Sequence, residues 1–116
     1  MRITLMSIYA VDPPGEYPEN ILRWSVREVL CGWSEVRTRH LVGYTPMERS
    51  GRTSSAIQAF DPDQMRITTS SGRIYQLDGQ PGSHGDAEYV WKHWKSFNEA
   101  TDEIDVTNQY FLAAAN

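Results

Sequence analysis

The stretch from Gly51 to Gly82 constrains the fold most, because two turn signals divide it into three runs that each suit a β-strand. Residues 54–60 carry apolar side chains at Ala56, Ile57, Ala59 and Phe60. Asp61-Pro62-Asp63-Gln64 then interrupts the run. Pro62 has no N–H to give a ladder, and an aspartate side chain can accept bonds from the backbone just beyond it. Residues 65–69 alternate, with Met65, Ile67 and Thr69 on one face and Arg66 and Thr68 on the other, the period of a half-buried strand. Ser70-Ser71-Gly72 forms a tight turn in which Gly72 is free to take a positive φ. Residues 73–77 make the third run, closed by Asp78-Gly79. Connections this short join neighbouring antiparallel strands, so the stretch predicts a meander whose apolar face needs a cover.

Residues 86–98 can supply that cover. Ala87, Val90, Trp91, Trp94 and Phe97 fall on one helical stripe. Ser83 or Asp86 can cap the helix, and Glu88 and Lys92 form an i,i+4 pair. Burying Trp91, Trp94 and Phe97 is expected to contribute about 1.5–3 kcal/mol each. The loop before it, residues 79–85, holds three glycines, but their spacing matches neither a P-loop nor a dinucleotide fingerprint.

The flanks are less regular. Residues 2–9 read as a first strand ending near Val11, and residues 12–18 as a proline-rich connector. In residues 19–29, Ile21, Leu22, Ser25, Val26 and Val29 fit helical spacing while residues 23–29 also alternate. A short helix ended by Cys31-Gly32 is the preferred expectation. Residues 41–44 suit a strand and residues 45–52 a polar loop. Residues 101–107 form an acidic connector with room for a short strand, and residues 108–114 a final helical turn or edge segment docked by Tyr110 and Phe111. Together these give one α+β domain over residues 1–116, with a β core at 41–79, a helix at 86–98 and an acidic C-terminal segment at 99–116. Its sheet is mainly antiparallel, has four or five strands, and can curl toward a small barrel with one amphipathic helix packed on it.

Forty per cent apolar residues is too many for a disordered chain, and no apolar run approaches 18 residues, so no membrane span is expected. Residues 2–9 lack the long greasy centre of a signal peptide. Cys31 is the only cysteine, which suits a reduced cytoplasmic protein with a packed thiol. The net charge of −4 is unevenly placed: nine arginines balance nine acids before Gly82, whereas two lysines face six acids after it. A pI near 5.3 disfavours general nucleic-acid binding.

No catalytic constellation emerges. His40, His84 and His93 match no zinc spacing, and no metal or other cofactor is expected. Ser70 and Ser71 suit a turn rather than a nucleophile. Cys31 with His40 reads as a buried thiol and an unrelated histidine, and Asp61 with Asp63 as a solvated turn. Interface chemistry is better represented. Trp24 or Trp33 exposed beside arginines would make anchors for a protein partner. Arg52, Arg66 and Arg73 fall on or beside adjacent strands and could line one face. Asp102, Glu103 and Asp105 could engage a basic partner surface.

The runs Leu41-Val42-Gly43-Tyr44, Gly51-Arg52-Thr53-Ser54-Ser55-Ala56-Ile57 and Thr69-Ser70-Ser71-Gly72-Arg73-Ile74-Tyr75-Gln76-Leu77 resemble small, largely uncharacterised bacterial and prophage-associated proteins. In those, a Thr/Ser-Ser-x-Ile strand precedes a Ser-Gly-Arg-x-Tyr-x-Leu hairpin. The resemblance covers about a third of the chain and implies a compact β-rich domain associated with mobile elements; it carries no catalytic residues. The leading expectation is therefore a small non-enzymatic protein-binding module, an inhibitor of anti-CRISPR type or a toxin-immunity protein. The alternatives are a nucleic-acid-binding β module using Arg52, Arg66 and Arg73, and a small enzyme with a cleft near His84 and His93.

Overall fold

The computed structural model describes residues 17–115. The expected strand at residues 2–9 and residues 12–16 of the connector lie outside them. The first described element is a strand, β1 (Glu19–Leu30), and not the helix that apolar spacing suggested. The cause is a bulge. Arg23 takes φ 48°, and the register against β2 (Thr38–Thr45) shifts between Leu22 and Ser25. The extra residue puts Ile21, Trp24 and Val26 all into the core, so the apolar spacing runs three and then two. A spacing of three is what one turn of helix would show.

From β1 the chain meanders through β2, β3 (Ser50–Asp61), β4 (Arg66–Thr69) and β5 (Ile74–Asp78), each antiparallel to the last. β5 then returns to the first half of β1, pairing Glu19 with Tyr75 through Leu22 with Asp78 in parallel. Five strands of alternating direction can close only with one parallel seam, and this is it. The result is a closed five-stranded barrel. The second half of β1 carries a sixth strand, β6 (Thr101–Asp105), antiparallel, with Arg27 opposite Asp105 and Leu30 opposite Thr101. Between seam and β6 the backbone of β1 stays satisfied. Gly82 N donates to Trp24 O, Val26 N to the Thr107 hydroxyl, and Val106 N to Val26 O, at 2.9–3.0 Å.

Two apolar layers follow from the alternation along β1 and β2. The barrel interior holds Ile21, Trp24, Val26, Leu41, Ile67, Tyr75 and Leu77. Helix α2 (Thr107–Ala115) brings Tyr110 and Phe111 against this core, with Phe60 tilted on Tyr110 at 4.9 Å. Outside the barrel, Val29, Cys31 and Val42 meet Ala87 and Trp91 of helix α1 (Gly85–Phe97). The cap of α1 is His84, whose Nδ1 accepts from Asp86 N at 3.1 Å, in place of the expected Ser83 or Asp86. The α1 stripe also divides differently from expectation. Trp91 is buried and Trp94 half-buried, but Phe97 is exposed. The chain reverses over residues 98–100, and Ala100 packs against the core at that end instead.

The helix sits close because β3 has a glycine under it. A Cβ on Gly51 would lie 2.4 Å from Asp86 O and 2.6 Å from Ala87 Cα. Gly51→Ala must therefore push α1 outward, and overpacking of this kind typically costs about 1–3 kcal/mol. A urea titration should show the midpoint falling with an unchanged slope.

His40 lies between the barrel and α1, buried, 4.3 Å from the Trp94 ring. Ser54 O, 2.9 Å from Nδ1, can only accept, so Nδ1 carries the proton and Nε2 accepts from the Thr38 hydroxyl at 2.8 Å. Burial holds the imidazole below its usual 6.5, outweighing the bonds to backbone that favour its charged form. The unfolded chain thus takes up a proton before the folded one does. The His40 contribution is complete above pH 6.5 and declines as pH falls from there toward the folded pKa. Unfolding free energies measured from pH 7.5 to 5 should show this slope, and His40→Gln should flatten it.

Among the described residues, no helix is long and apolar enough to cross a membrane.

Candidate interaction surface

The loop between β1 and β2 is shaped by short-range bonds. Ser34 N donates to Cys31 O at 3.1 Å, and the Ser34 hydroxyl bonds both N–H and C=O of Val36. The loop lies flat against the exit of α1, where Gly32 N donates to Asn98 O at 3.0 Å. A Cβ on Gly32 would lie 2.4 Å from Glu99 Oε1. Trp33 Nε1 donates to Asn98 Oδ1 at 2.9 Å. This bond fixes the indole yet leaves Trp33 59% exposed; Val36, at 67%, follows three residues on in the same loop, and Phe97, at 88%, precedes Asn98 in the chain. Single exposed apolar residues are ordinary, but three large ones on the β1–β2 loop and the α1 exit bonded to it, one of them a tryptophan held by a hydrogen bond, are an interface feature.

The rim of this surface is acidic. Glu35, Glu99 and Asp102 are exposed. The nearby cations are committed internally: Arg37 Nε and Arg39 Nε bond the two oxygens of Glu28 at 2.6 and 2.9 Å, and Arg37 also reaches the Asp102 carbonyl. Hydrogen bonds from Arg39 and Arg37 hold the Glu28 carboxyl below its usual range.

The acidic trio on β6 divides by role. Glu103 accepts from Lys95 Nζ at 2.6 Å, Arg27 Nη1 at 2.9 Å and Trp91 Nε1 at 3.1 Å. Arg27, largely buried, also bonds Glu88 at 2.7 Å. Partial burial pushes the Glu103 carboxyl up, but the bonds from Lys95, Trp91 and Arg27 outweigh it and hold it below 4.5. Glu103 thus ties β6 to α1 and β1. Asp105 accepts from the N–H and hydroxyl of Thr107 and so caps α2. Asp102 stays at the rim.

The two candidate tryptophans separate completely. Trp24 is buried inside the barrel, where Nε1 donates to Gly79 O at 3.1 Å, so it is a core residue and cannot reach a partner. The three candidate arginines do not form one face. Arg52 and Arg73 meet at Glu19, at 3.4 and 3.5 Å, and Arg52 is held further by Glu48 and the Tyr75 hydroxyl. Arg66 stands apart on β4, bonded to Gln76 Oε1 at 2.8 Å beside a shallow groove of about 310 Å³.

A groove of about 490 Å³ adjoins His84, lined also by Leu22, Arg23 and Tyr44. The imidazole stacks on Tyr44 at 4.2 Å, and its Nδ1 is occupied by the helix cap. Arg23 Nη1 is turned to Ser83 O. Among the described residues no hydrogen bond joins His84 to a nucleophile or a carboxylate. His93 lies on the helix surface against Tyr89. Burial raises the Cys31 thiol above its usual value, the opposite of activation. Among the described residues, no three His, Cys, Asp or Glu side chains gather as a metal site would require.

Val36, Phe97, Glu35 and Glu99 were not singled out by sequence. Phe97 looks like the last core position of its stripe, and only the chain reversal after Asn98 turns it outward. Comparisons with protein-family models, curated proteins and solved structures found no match.

Proposed function

We propose that the protein is a non-enzymatic protein-binding module that docks Trp33, Val36 and Phe97 into an apolar pocket with a basic rim on its partner. The observation that carries this reading is the Trp33 ring, fixed by Asn98 while still open to solvent. A side chain already held in place loses less freedom on binding. Glu35, Glu99 and Asp102 around it would steer a basic surface and repel an acidic one. Such a surface suits an inhibitor or immunity-type protein that covers the nucleic-acid-binding face of its target. The nucleic-acid-binding alternative draws less support, because five of the eight described arginines (27, 37, 39, 52 and 73) already sit in ion pairs.

Photo-crosslinking tests the proposal. Benzoylphenylalanine in place of Val36 should give one adduct with a basic protein in extracts of the encoding organism, and Trp33→Ala should remove it. The same group in place of Gln58, exposed on β3, should give none. No adduct from position 36, or equal adducts from both positions, would overturn the reading.

A further inference from the structure

We infer that the outer edge of β6 is a strand-docking site for a basic, extended segment of the same partner, which rests on the protein-binding reading above. β6 ends the sheet order, pairs only with β1 among the described residues, and is exposed at all five positions. Which of its backbone groups are free follows from register. Val106 N donates to Val26 O, and Ile104 stands opposite Glu28. The two-residue period then turns the N–H and C=O of Ile104 toward β1 and those of Glu103 and Asp105 toward the open edge.

That edge is rigid. Glu103 is held by Arg27, Lys95 and Trp91, and Asp105 by the start of α2. Its charge selects the occupant. Among the described residues Glu88, Glu99, Asp102, Glu103 and Asp105 lie around it against Arg27, Arg37 and Lys95, and acids remain in excess. A second copy would bring the same acids opposite these, which destabilises a strand pair, whereas lysine or arginine at alternate positions complements them. Ile104, 50% exposed on the face away from the Glu103 clamp, adds an apolar contact. Asp102, at φ 58°, bends the strand at its start and keeps the docked segment short. The edge is also continuous with the Trp33 surface, because Arg37 joins the β1–β2 loop to the Asp102 carbonyl. One partner can therefore engage both, its pocket on Trp33 and its strand on β6.

The test uses amide NMR of the full chain titrated with the capped peptide Lys-Val-Lys-Thr-Lys-Val-Lys. The expected result is shifts centred on Glu103 and Asp105, with slowed exchange of those two amides. N-methylation of alternate peptide amides should weaken binding at least tenfold, and replacing its lysines by glutamates should abolish it. Shifts spread over all exposed acids and indifferent to N-methylation, or no shifts at millimolar peptide, would overturn the inference. If the position-36 crosslink persists in either of those cases, the protein-binding reading stands and only the edge is lost; if the crosslink fails too, both fall.

Discussion

Trp24→Ala is expected to lower the unfolding free energy by about 3–5 kcal/mol, the range for deleting a large buried aromatic. Domains of this size have about 5–15 kcal/mol in total, so the variant should be marginal at 37 °C. The indole does three things at once. It fills the barrel interior at the β1 bulge, it packs toward α2 with Phe111 at 6.4 Å, and its Nε1 satisfies the Gly79 carbonyl beyond β5. Alanine leaves a cavity that strands on all sides cannot collapse into, and it loses the bond to the Gly79 carbonyl. Trp24→Phe separates the two losses: it keeps much of the volume and drops the donor, so its cost should be well below that of alanine. Urea unfolding followed by circular dichroism reads both. A loss under about 1 kcal/mol for Trp24→Ala would be incompatible with a core position.

Arg27→Met should be of similar size for a different reason. The guanidinium lies between Glu88 of α1 and Glu103 of β6 and under the Trp91 ring at 5.8 Å. Methionine fills much of the space but leaves two carboxylates facing each other without their shared cation. Breaking a fully buried ion pair from one side typically costs about 3–5 kcal/mol; here the carboxylates left behind are 39% and 29% exposed and Glu103 keeps Lys95, so the loss should fall at the low end of that range. Acid should shrink the deficit. In the parent protein Glu103 titrates below 4.5, so its stabilising bonds are complete above pH 4.5 and are lost as pH falls through the folded value. The variant has already lost part of that contribution, and the two stability curves should converge below pH 4.5. A second change, Glu103→Gln, should recover stability in the Arg27→Met background and lose it in the parent, a coupling that a double-mutant cycle measures.

The turn chemistry of the meander was legible in the sequence. Asp61 Oδ1 accepts from Asp63 N and Gln64 N at 3.0 and 3.2 Å, and Gly72 takes φ 90°, as the two turn signals require. Helix α1 was legible to within a residue at each end, since its stripe of period 3.6 has no competing pattern. β3 runs longer than expected, starting at Ser50, because its polar first residues pair with β2 and lie under α1, and neither contact leaves an apolar trace. β1 was misread because a bulge imitates helical spacing. Closure of the barrel shows only in register, which joins residues 19–22 to residues 75–78 across more than fifty positions.

The interaction surface was legible only in fragments. Trp33 and the acids stand out by residue type. That Trp33 and not Trp24 is open depends on which side of the bulge faces inward, and that Phe97 joins it depends on a chain reversal that no local pattern marks. Arg52, Arg66 and Arg73 fall on or beside adjacent strands, which is why one shared face is conceivable from sequence. The pairing that sets Arg52 and Arg73 on Glu19 joins positions more than thirty residues apart and leaves no local pattern.

The central claim is that Trp33 and Phe97 serve recognition and not the fold, and the double variant Trp33→Ala with Phe97→Ser tests it most directly. Its thermal midpoint and its crosslinking from position 36 should be measured on the same preparation. Surface substitutions of this kind shift stability by about 0.5 kcal/mol or less. The expected result is therefore a midpoint within about 2–4 °C of the parent, together with loss of the adduct. A variant that melts far lower, or one that keeps its melting point and its adduct alike, would contradict the claim.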